Sequence, residues 1–164
     1  MRSRGRGGAR VAPLFAFVAA ASFGVVVAAL VSQHEFAMEP CPWCVLQRLI
    51  FLAIGACALL GLLWRSVVGS RVAAGIALLL AADGVAAAFW QQLVAAKSES
   101  CNLTLADRVV GATGLDQLLP SVFEARASCA DAAVSLLGVP YAYWSAAAFV
   151  ICAIALLRIL RLSI

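Results

Sequence analysis

Four long apolar runs constrain the fold of this chain more than any other feature of its sequence. Each is long enough to cross a ~30 Å hydrocarbon layer as a helix, which takes about 17–25 residues. They cover residues 13–31, 45–64, 72–89 and 141–160. Lipid offers no partner for an unpaired backbone N–H or C=O group, so each run is expected to be helical. The sequence therefore predicts an all-α membrane protein, a bundle of four transmembrane helices forming a single domain over residues 1–164.

The distribution of charged residues predicts which side of the membrane each connection faces. Arginines without any acid occupy both chain ends and the turn at 65–71, whereas seven of the eight acids lie in two loops, near 32–44 and 91–140. Because positive charge is retained in the cytoplasm, we expect the termini inside and these two loops outside. The net charge of +4 then reflects orientation and contact with anionic lipid, and no nucleic-acid partner is predicted.

The first apolar run is expected to remain in the mature protein as a helix. A signal peptide is the alternative, because arginines precede the run and alanines are frequent within it. The run is longer than the apolar region of a signal peptide, which has about 7–15 residues. Length therefore favours a retained helix.

A Cys-x-x-Cys pair, Cys41-Pro42-Trp43-Cys44, lies at the start of the second apolar run. Proline suits the first turn of a helix because it has no N–H group to leave unpaired, so we expect Cys41 at the cap and Cys44 in the first turn. Free N–H groups and the helix dipole favour a thiolate there. Arg48 follows Cys44 by one turn on the same face, and its charge favours a second nearby anion. The pattern indicates a reactive dithiol at the membrane surface.

The six cysteines divide into two groups by location. Two lie inside predicted spans and are interpreted as small packing residues, Cys57 and Cys152. Four lie in the predicted outward segments, where disulfides persist: Cys41, Cys44, Cys101 and Cys129. Four cysteines allow three pairings, of which sequence proximity favours 41–44 with 101–129. A disulfide between adjacent turns adds little stability, so a structural role explains the second pair better than the first.

The second outward loop, of about 50 residues, is too long for a simple connection. Between Leu115 and Phe123 its apolar residues recur at helical spacing, with polar residues on the other face. This pattern predicts a short amphipathic helix at the membrane surface, with a break expected at Pro120.

Two further polar residues are interpreted separately. In the first loop, His34 is interpreted as a solvated residue rather than a proton relay. Asp83 is the one acid inside a predicted span, and both a functional role and a hydrogen-bonding role in packing are open for it.

A dithiol in this position needs an electron acceptor that dissolves in lipid. Thiol oxidation is a two-electron exchange, and an acceptor beside Cys44 would sit at the bilayer edge. A quinone has these properties, and Arg48 is placed to polarise its carbonyl group or to stabilise the reduced oxygen.

The order of these parts resembles the bacterial disulfide bond formation protein B family. The resemblance covers nearly the whole chain and is carried by Cys41-Pro42-Trp43-Cys44-Val45-Leu46-Gln47-Arg48, Leu115-Asp116, Leu119-Pro120-Ser121-Val122-Phe123, Cys129-Ala130, Leu137-Gly138 and Trp144. It implies a membrane oxidoreductase of the bacterial inner membrane. It also places Gln47 with Cys44 and Arg48 among the quinone-binding residues. Family members can carry a histidine near the outward end of the third helix, where this chain reads Ala88-Phe89-Trp90-Gln91-Gln92.

The resemblance also implies a path for the electrons. A reduced periplasmic thiol oxidase of the thioredoxin-like disulfide bond formation protein A type would attack the Cys101–Cys129 disulfide, with the mixed disulfide at Cys101. Electrons would pass through a transient bond between the loops to Cys41 and Cys44. Cys44 would then react with ubiquinone or menaquinone beside Arg48.

Three alternatives are weighed against this prediction. In vitamin K epoxide reductase-like proteins the Cys-x-x-Cys pair belongs to the last span, which reverses the order found here. A structural zinc site usually takes two closely spaced cysteine pairs, and one is present; no metal is therefore expected. A non-catalytic four-span scaffold with a disulfide-linked outer loop would have inert disulfides, unchanged by added quinone.

Overall fold

Four long helices form the body of the protein. The computed structural model describes residues 4–64, 66–97 and 104–162, with side chains from residue 11 onward. The long helices are α1 (Arg4–Phe36), α2 (Pro42–Leu63), α3 (Val67–Leu93) and α7 (Tyr141–Leu162). Each is long and apolar enough to cross a membrane, which confirms the predicted four-span all-α architecture.

The helices extend beyond the apolar runs that predicted them. α3 begins at Val67, five residues before the predicted start at 72, because the Ser66 side chain accepts the Gly69 N–H at 3.0 Å and caps the helix. α2 begins at Pro42, as the sequence predicts, and α1 continues through Pro13. Apolar content alone therefore defines the membrane core of each helix but not its capped ends.

Small residues allow the helices to pack closely. α3 packs against α2 and α7, and α1 packs against α2 and α7. The buried face of α3 consists almost entirely of alanine, glycine and serine, which lets the neighbouring backbones approach. Gly84 on this face lies against the ring of Phe149, which stacks on Phe51 with ring centroids 3.8 Å apart. These contacts fix α2, and with it the Cys-x-x-Cys pair, relative to α3 and α7.

Between α3 and α7 the chain forms several short elements. They are a 3₁₀ turn (Ala95–Lys97), α4 (Leu105–Thr113), α5 (Leu115–Leu118), α6 (Pro120–Phe123) and two strands, β1 (Ser135–Leu136) and β2 (Val139–Pro140). The strands pair antiparallel. α4 was not predicted, and it starts with a capping box in which Thr104 and Asp107 satisfy each other's backbone N–H groups. α4 packs against α2, so this connection folds back onto the bundle.

The predicted amphipathic helix over residues 115–123 is not confirmed as a single element. The segment divides at Leu119, whose φ of −135° and ψ of 66° are not helical, into two helices of four residues each. Pro120 accounts for the break, because its ring clashes with the preceding turn and it lacks an N–H group. Phe123 is buried, whereas Leu118 is 74% exposed.

Candidate active site

The start of α2 holds the two sulfur atoms of the Cys-x-x-Cys pair. Cys41 is the N-cap residue, with extended backbone, and its Sγ accepts the Cys44 N–H at 3.3 Å. The Sγ atoms of Cys41 and Cys44 lie 2.9 Å apart, so a disulfide can form between them with a small movement. The predicted capping arrangement is therefore confirmed, and Pro42 explains it by starting the helix between the two cysteines.

A third cysteine reaches the same place from the connection between α3 and α7. The backbone N–H groups of Arg126 and Ala127 donate to the Pro40 carbonyl oxygen at 3.0 and 3.3 Å. These two bonds dock the segment that precedes Cys129 beside the start of α2. The Cys129 sulfur then lies close enough to the Cys41 side chain and to the Trp43 N–H, one of the free donors of the first helical turn, for both groups to lower its pKa.

The interaction between the Cys41 and Cys129 side chains shifts the pKa values of the two cysteines in opposite directions. The pKa of Cys129 is lowered, chiefly because Cys41 donates to its sulfur and secondly because of the Trp43 N–H, although burial acts in the opposite direction. The pKa of Cys41 is raised by its hydrogen bonds with Cys129 and Cys44 and by burial. Of this pair, Cys129 is therefore the more acidic sulfur, and it lies beside Cys41.

Arg48 is buried one turn below Cys44, with 6% of its surface exposed. Its Nη1 donates to Gln33 Oε1 at 2.7 Å and to the Val122 carbonyl oxygen at 3.0 Å, and its Nη2 lies 3.4 Å from the Ala29 carbonyl oxygen. These acceptors are neutral, so the positive charge is solvated by dipoles rather than cancelled by a carboxylate. Its field therefore remains available to an anion or a developing negative charge in the adjacent cleft.

Two glutamine side chains complete the surroundings of Cys44. Gln91, near the end of α3, donates from Nε2 to Cys44 Sγ at 3.2 Å. Its Oε1 accepts a hydrogen bond from Gln47 Nε2 at 2.6 Å. Both amides are buried, and the three residues form a continuous chain from α2 to α3 and back to α2.

A cleft opens beside Cys44 between α1, α2 and α7. The space within and immediately outside it, open solvent included, is about 620 Å³. Val25, Val26 and Ala142 contribute apolar wall, while Arg48 and Gln91 contribute N–H groups. The cleft therefore combines an apolar volume with hydrogen-bond donors beside the Cys44 sulfur.

The structure brings together the predicted site residues that it describes. Cys41, Cys44, Gln47, Arg48 and Cys129 meet at the start of α2. Cys101 lies outside the described residues. Cys57 and Cys152 lie within α2 and α7, and the Cys152 sulfur is 3.9 Å from Ser22 Oγ in the bundle core.

Two polar residues whose roles the sequence left open, His34 and Asp83, lie away from this site. His34 is exposed, and its Nδ1 lies 2.8 Å from the Leu30 carbonyl oxygen of its own helix. Asp83 lies on the exposed face of α3, and it has no hydrogen-bond or ion-pair partner in the described part of the chain.

Two site residues were missed by reasoning from the sequence, Gln33 and Gln91. Gln33 holds Arg48 and Gln91 holds Cys44. One feature of the sequence could have indicated them. Each is an amide at the end of a long apolar segment, where a buried polar side chain needs a hydrogen-bond partner. Neither residue has a periodic relation to the Cys-x-x-Cys pair, so only the packing of three helices identifies them.

Known proteins resemble this chain over most of its length. The sequence model of the family "Disulfide bond formation protein DsbB" matches residues 11–159. A "Disulfide bond formation protein B" from Aromatoleum aromaticum is 34% identical over 136 residues, which cover 80% of this chain and 81% of the relative. The protein of that name from Ralstonia nicotianae is 33% identical over 150 residues, covering 87% and 89%. One from Herminiimonas arsenicoxydans is 30% identical over 147 residues, covering 89% and 92%. The chain therefore belongs to the DsbB family of membrane disulfide bond formation proteins.

Proposed function

We propose that this protein reoxidises a periplasmic thioredoxin-like thiol oxidase and passes the electrons to a membrane quinone. The observation that carries the proposal is the contact of Cys41 with two sulfurs, those of Cys44 and Cys129. One cysteine between two others is the arrangement that thiol–disulfide exchange needs, because the attacking and leaving sulfurs must both lie next to the sulfur under attack.

Exchange begins at the loop between α3 and α7. A thiolate of the reduced partner attacks Cys101 of a Cys101–Cys129 disulfide, forms a mixed disulfide with Cys101 and releases Cys129 as a thiolate. Cys129 then attacks Cys41 of the Cys41–Cys44 disulfide, which joins the two loops and releases the Cys44 thiolate. The lowered pKa of Cys129 supports this order, because it favours the thiolate form of Cys129, which is the form that attacks a disulfide.

The remaining exchanges restore the loop and leave the electron pair at α2. The partner's second thiolate attacks the mixed disulfide, so the partner departs oxidised and Cys101 is released. Cys101 attacks Cys129 of the interloop bond, which restores the Cys101–Cys129 disulfide. Two sulfurs, Cys41 and Cys44, now hold the two electrons taken from the partner, whose two thiol protons have been released.

The residues around the cleft fit a quinone at the next stage. Apolar walls suit its ring and tail, and the N–H groups of Arg48 and Gln91 suit its carbonyl oxygens. Gln47 is expected to contribute through Gln91, to which it donates. When bound, a quinone supplies the acceptor of two electrons and two protons that allows the Cys41–Cys44 disulfide to form again. Arg48 favours this transfer by stabilising negative charge in the cleft.

The same proposal includes the location and orientation of the chain. We place it in the bacterial inner membrane as a single domain over residues 1–164, with cytoplasmic termini and periplasmic cysteine loops. The arginines at both ends and at 65–71 support this orientation through the positive-inside rule. Its partners are then the thiol oxidase, the quinone pool and membrane lipid.

A turnover assay with purified components tests the proposal. Full-length protein in detergent or nanodiscs is mixed with a reduced thioredoxin-like thiol oxidase and ubiquinone or menaquinone, and quinol is followed by absorbance. Cys44→Ser is expected to abolish turnover. Cys57→Ser is the matched control, because Cys57 lies on the same helix outside the site, and it is expected to retain full activity.

A second variant separates the two cysteine pairs. Cys101→Ala is expected to block oxidation of the partner while a small dithiol still reduces quinone in part, because the small reductant reaches the Cys41–Cys44 pair directly. A non-catalytic scaffold would instead give no quinol with either reductant. That result, or full turnover by Cys44→Ser, contradicts the proposed function.

A further inference from the structure

Two buried amide side chains beside Cys44, those of Gln47 and Gln91, form hydrogen bonds that are donated in the same direction. Gln91 is 6% exposed and Gln47 is 4% exposed, so neither amide can exchange its partner for bulk water. Gln47 Nε2 donates to Gln91 Oε1 at 2.6 Å, and Gln91 Nε2 donates to Cys44 Sγ at 3.2 Å. Each bond runs toward the sulfur.

This direction determines which form of Cys44 the amides favour. The two ends of a glutamine amide have nearly the same shape, so its neighbours decide whether oxygen or nitrogen faces a given atom. Because Gln47 donates to the oxygen of Gln91, the N–H end of Gln91 faces Cys44. A donated hydrogen bond stabilises a thiolate more than a thiol, since charge strengthens the bond.

The nearby cation does not make this contact. The hydrogen bonds of the Arg48 guanidinium go to Gln33 Oε1 and to the carbonyl oxygens of Val122 and Ala29. Among the described residues, Gln91 provides the side-chain N–H that is bonded to Cys44 Sγ. An amide has no proton to gain or lose near neutral pH, so this donor is present across the working pH range.

We propose that Gln91 is a catalytic residue that holds the Cys44 sulfur as a thiolate, and that Gln47 is a positioning residue that keeps the N–H end of Gln91 toward that sulfur. The pair thereby prepares Cys44 as the electron donor, a consequence for turnover that rests on the proposed function. The effect on the sulfur itself does not require a quinone or a partner protein.

Alkylation of Cys44 as a function of pH tests this assignment. The reduced full-length protein is treated with iodoacetamide, and modification of Cys44 is followed by mass spectrometry of its peptide. Gln91→Leu is expected to slow alkylation about tenfold at neutral pH, the size expected for one hydrogen bond to an anion. The limiting rate at high pH is expected to stay unchanged, because the sulfur is then a thiolate in both proteins. A purely structural effect would change the limiting rate instead.

The double variant tests the order of the two amides. If Gln47 acts through Gln91, Gln47→Leu slows alkylation less than Gln91→Leu, and the double variant equals Gln91→Leu alone. Gln91→Leu leaves the buried Gln47 amide without its acceptor, whereas the double variant removes both amides. If Gln91→Leu folds poorly, the double variant therefore shows whether the amides favour the Cys44 thiolate. Gln92→Leu is the matched control on α3, since the half-buried Gln92 makes no hydrogen bond to a described residue. Alkylation of Cys57 monitors the fold of α2.

The outcomes distinguish this inference from the proposed function. An unchanged pH profile in Gln91→Leu and in the double variant overturns the role of the amides, even if the wild-type protein reduces quinone. Additive effects of the two substitutions overturn the positioning role of Gln47. Failure of the wild-type protein to reduce quinone overturns the proposed function, while the alkylation result still stands or falls by itself.

Discussion

Gly84→Ala provides a sharp test of the packing that holds α2 beside α3 and α7. A Cβ atom added at Gly84 would lie 2.5 Å from Cδ1 and Cζ of Phe149, whereas ordinary contacts begin at 3.4 Å. The ring would have to move by about 1 Å. It is fully buried and stacks on Phe51 at 3.8 Å with an angle of 5°, so the movement disturbs a second ring.

The expected cost follows from a comparison with Gly75→Ala on the same helix. Apart from its chain neighbours and the backbone of its own helix, no atom of a described residue lies within 4 Å of a Cβ added at Gly75. Both substitutions gain the same helix propensity of alanine over glycine, so this contribution cancels in their difference. What remains is the overpacking cost at Gly84, about 1–3 kcal/mol. We therefore expect Gly84→Ala to be less stable than Gly75→Ala by that amount.

Equilibrium unfolding in mixed detergent micelles, followed by far-UV circular dichroism, measures the free energies of both variants. Phe149→Leu in the Gly84→Ala background removes ring atoms from the crowded position and is expected to recover part of the loss. Equal stability of the two glycine variants would refute the packing described here. So would a failure of Phe149→Leu to interact with Gly84→Ala, because contacting residues should not contribute additively.

Two further predictions concern the site itself. Arg48→Ala removes the positive charge that lines the cleft. A charge-assisted hydrogen bond to a quinone oxygen contributes about 1.5–3 kcal/mol, so the quinone concentration for half-maximal turnover should rise at least tenfold, with partial recovery in Arg48→Lys. An unchanged value would exclude a role in the cleft. In the reduced protein, Cys129 should be alkylated at lower pH than Cys41, because a lowered pKa keeps its thiolate present as pH falls while the raised pKa of Cys41 keeps that sulfur protonated. Cys41→Ala should move the Cys129 profile to higher pH, and identical profiles for the two sulfurs would contradict the hydrogen bond between them.

The membrane helices were predictable because their cause is local. An apolar run of sufficient length has one stable form in lipid, and Pro42 between two cysteines starts a helix for a local reason. The four spans and the cap at Cys41 follow from these local causes, and the structure confirms both. The break near Pro120 was expected for a local reason as well, although two short helices replaced the predicted single one.

The surroundings of the Cys41 and Cys44 sulfurs were not predictable, because they arise from contacts between distant segments. Cys129 reaches Cys41 through backbone bonds to Pro40, which any sequence with free N–H groups at residues 126 and 127 could form. Gln91 reaches Cys44 because α2 and α3 pack through small residues. Such contacts depend on the register between packed helices and on loop geometry. The hydrophobic periodicity of the sequence predicts neither.

A single-turnover experiment tests the central claim most directly. The protein is fully reduced, freed of reductant without oxygen and mixed with one equivalent of quinone, and quinol and the free thiols of Cys41 and Cys44 are measured together. We predict one quinol per chain, formed at the same rate as the loss of these two thiols, and no quinol in Cys44→Ser. Quinone that stays oxidised beside two intact thiols, or quinol formed equally well by Cys44→Ser, would contradict electron transfer through this dithiol.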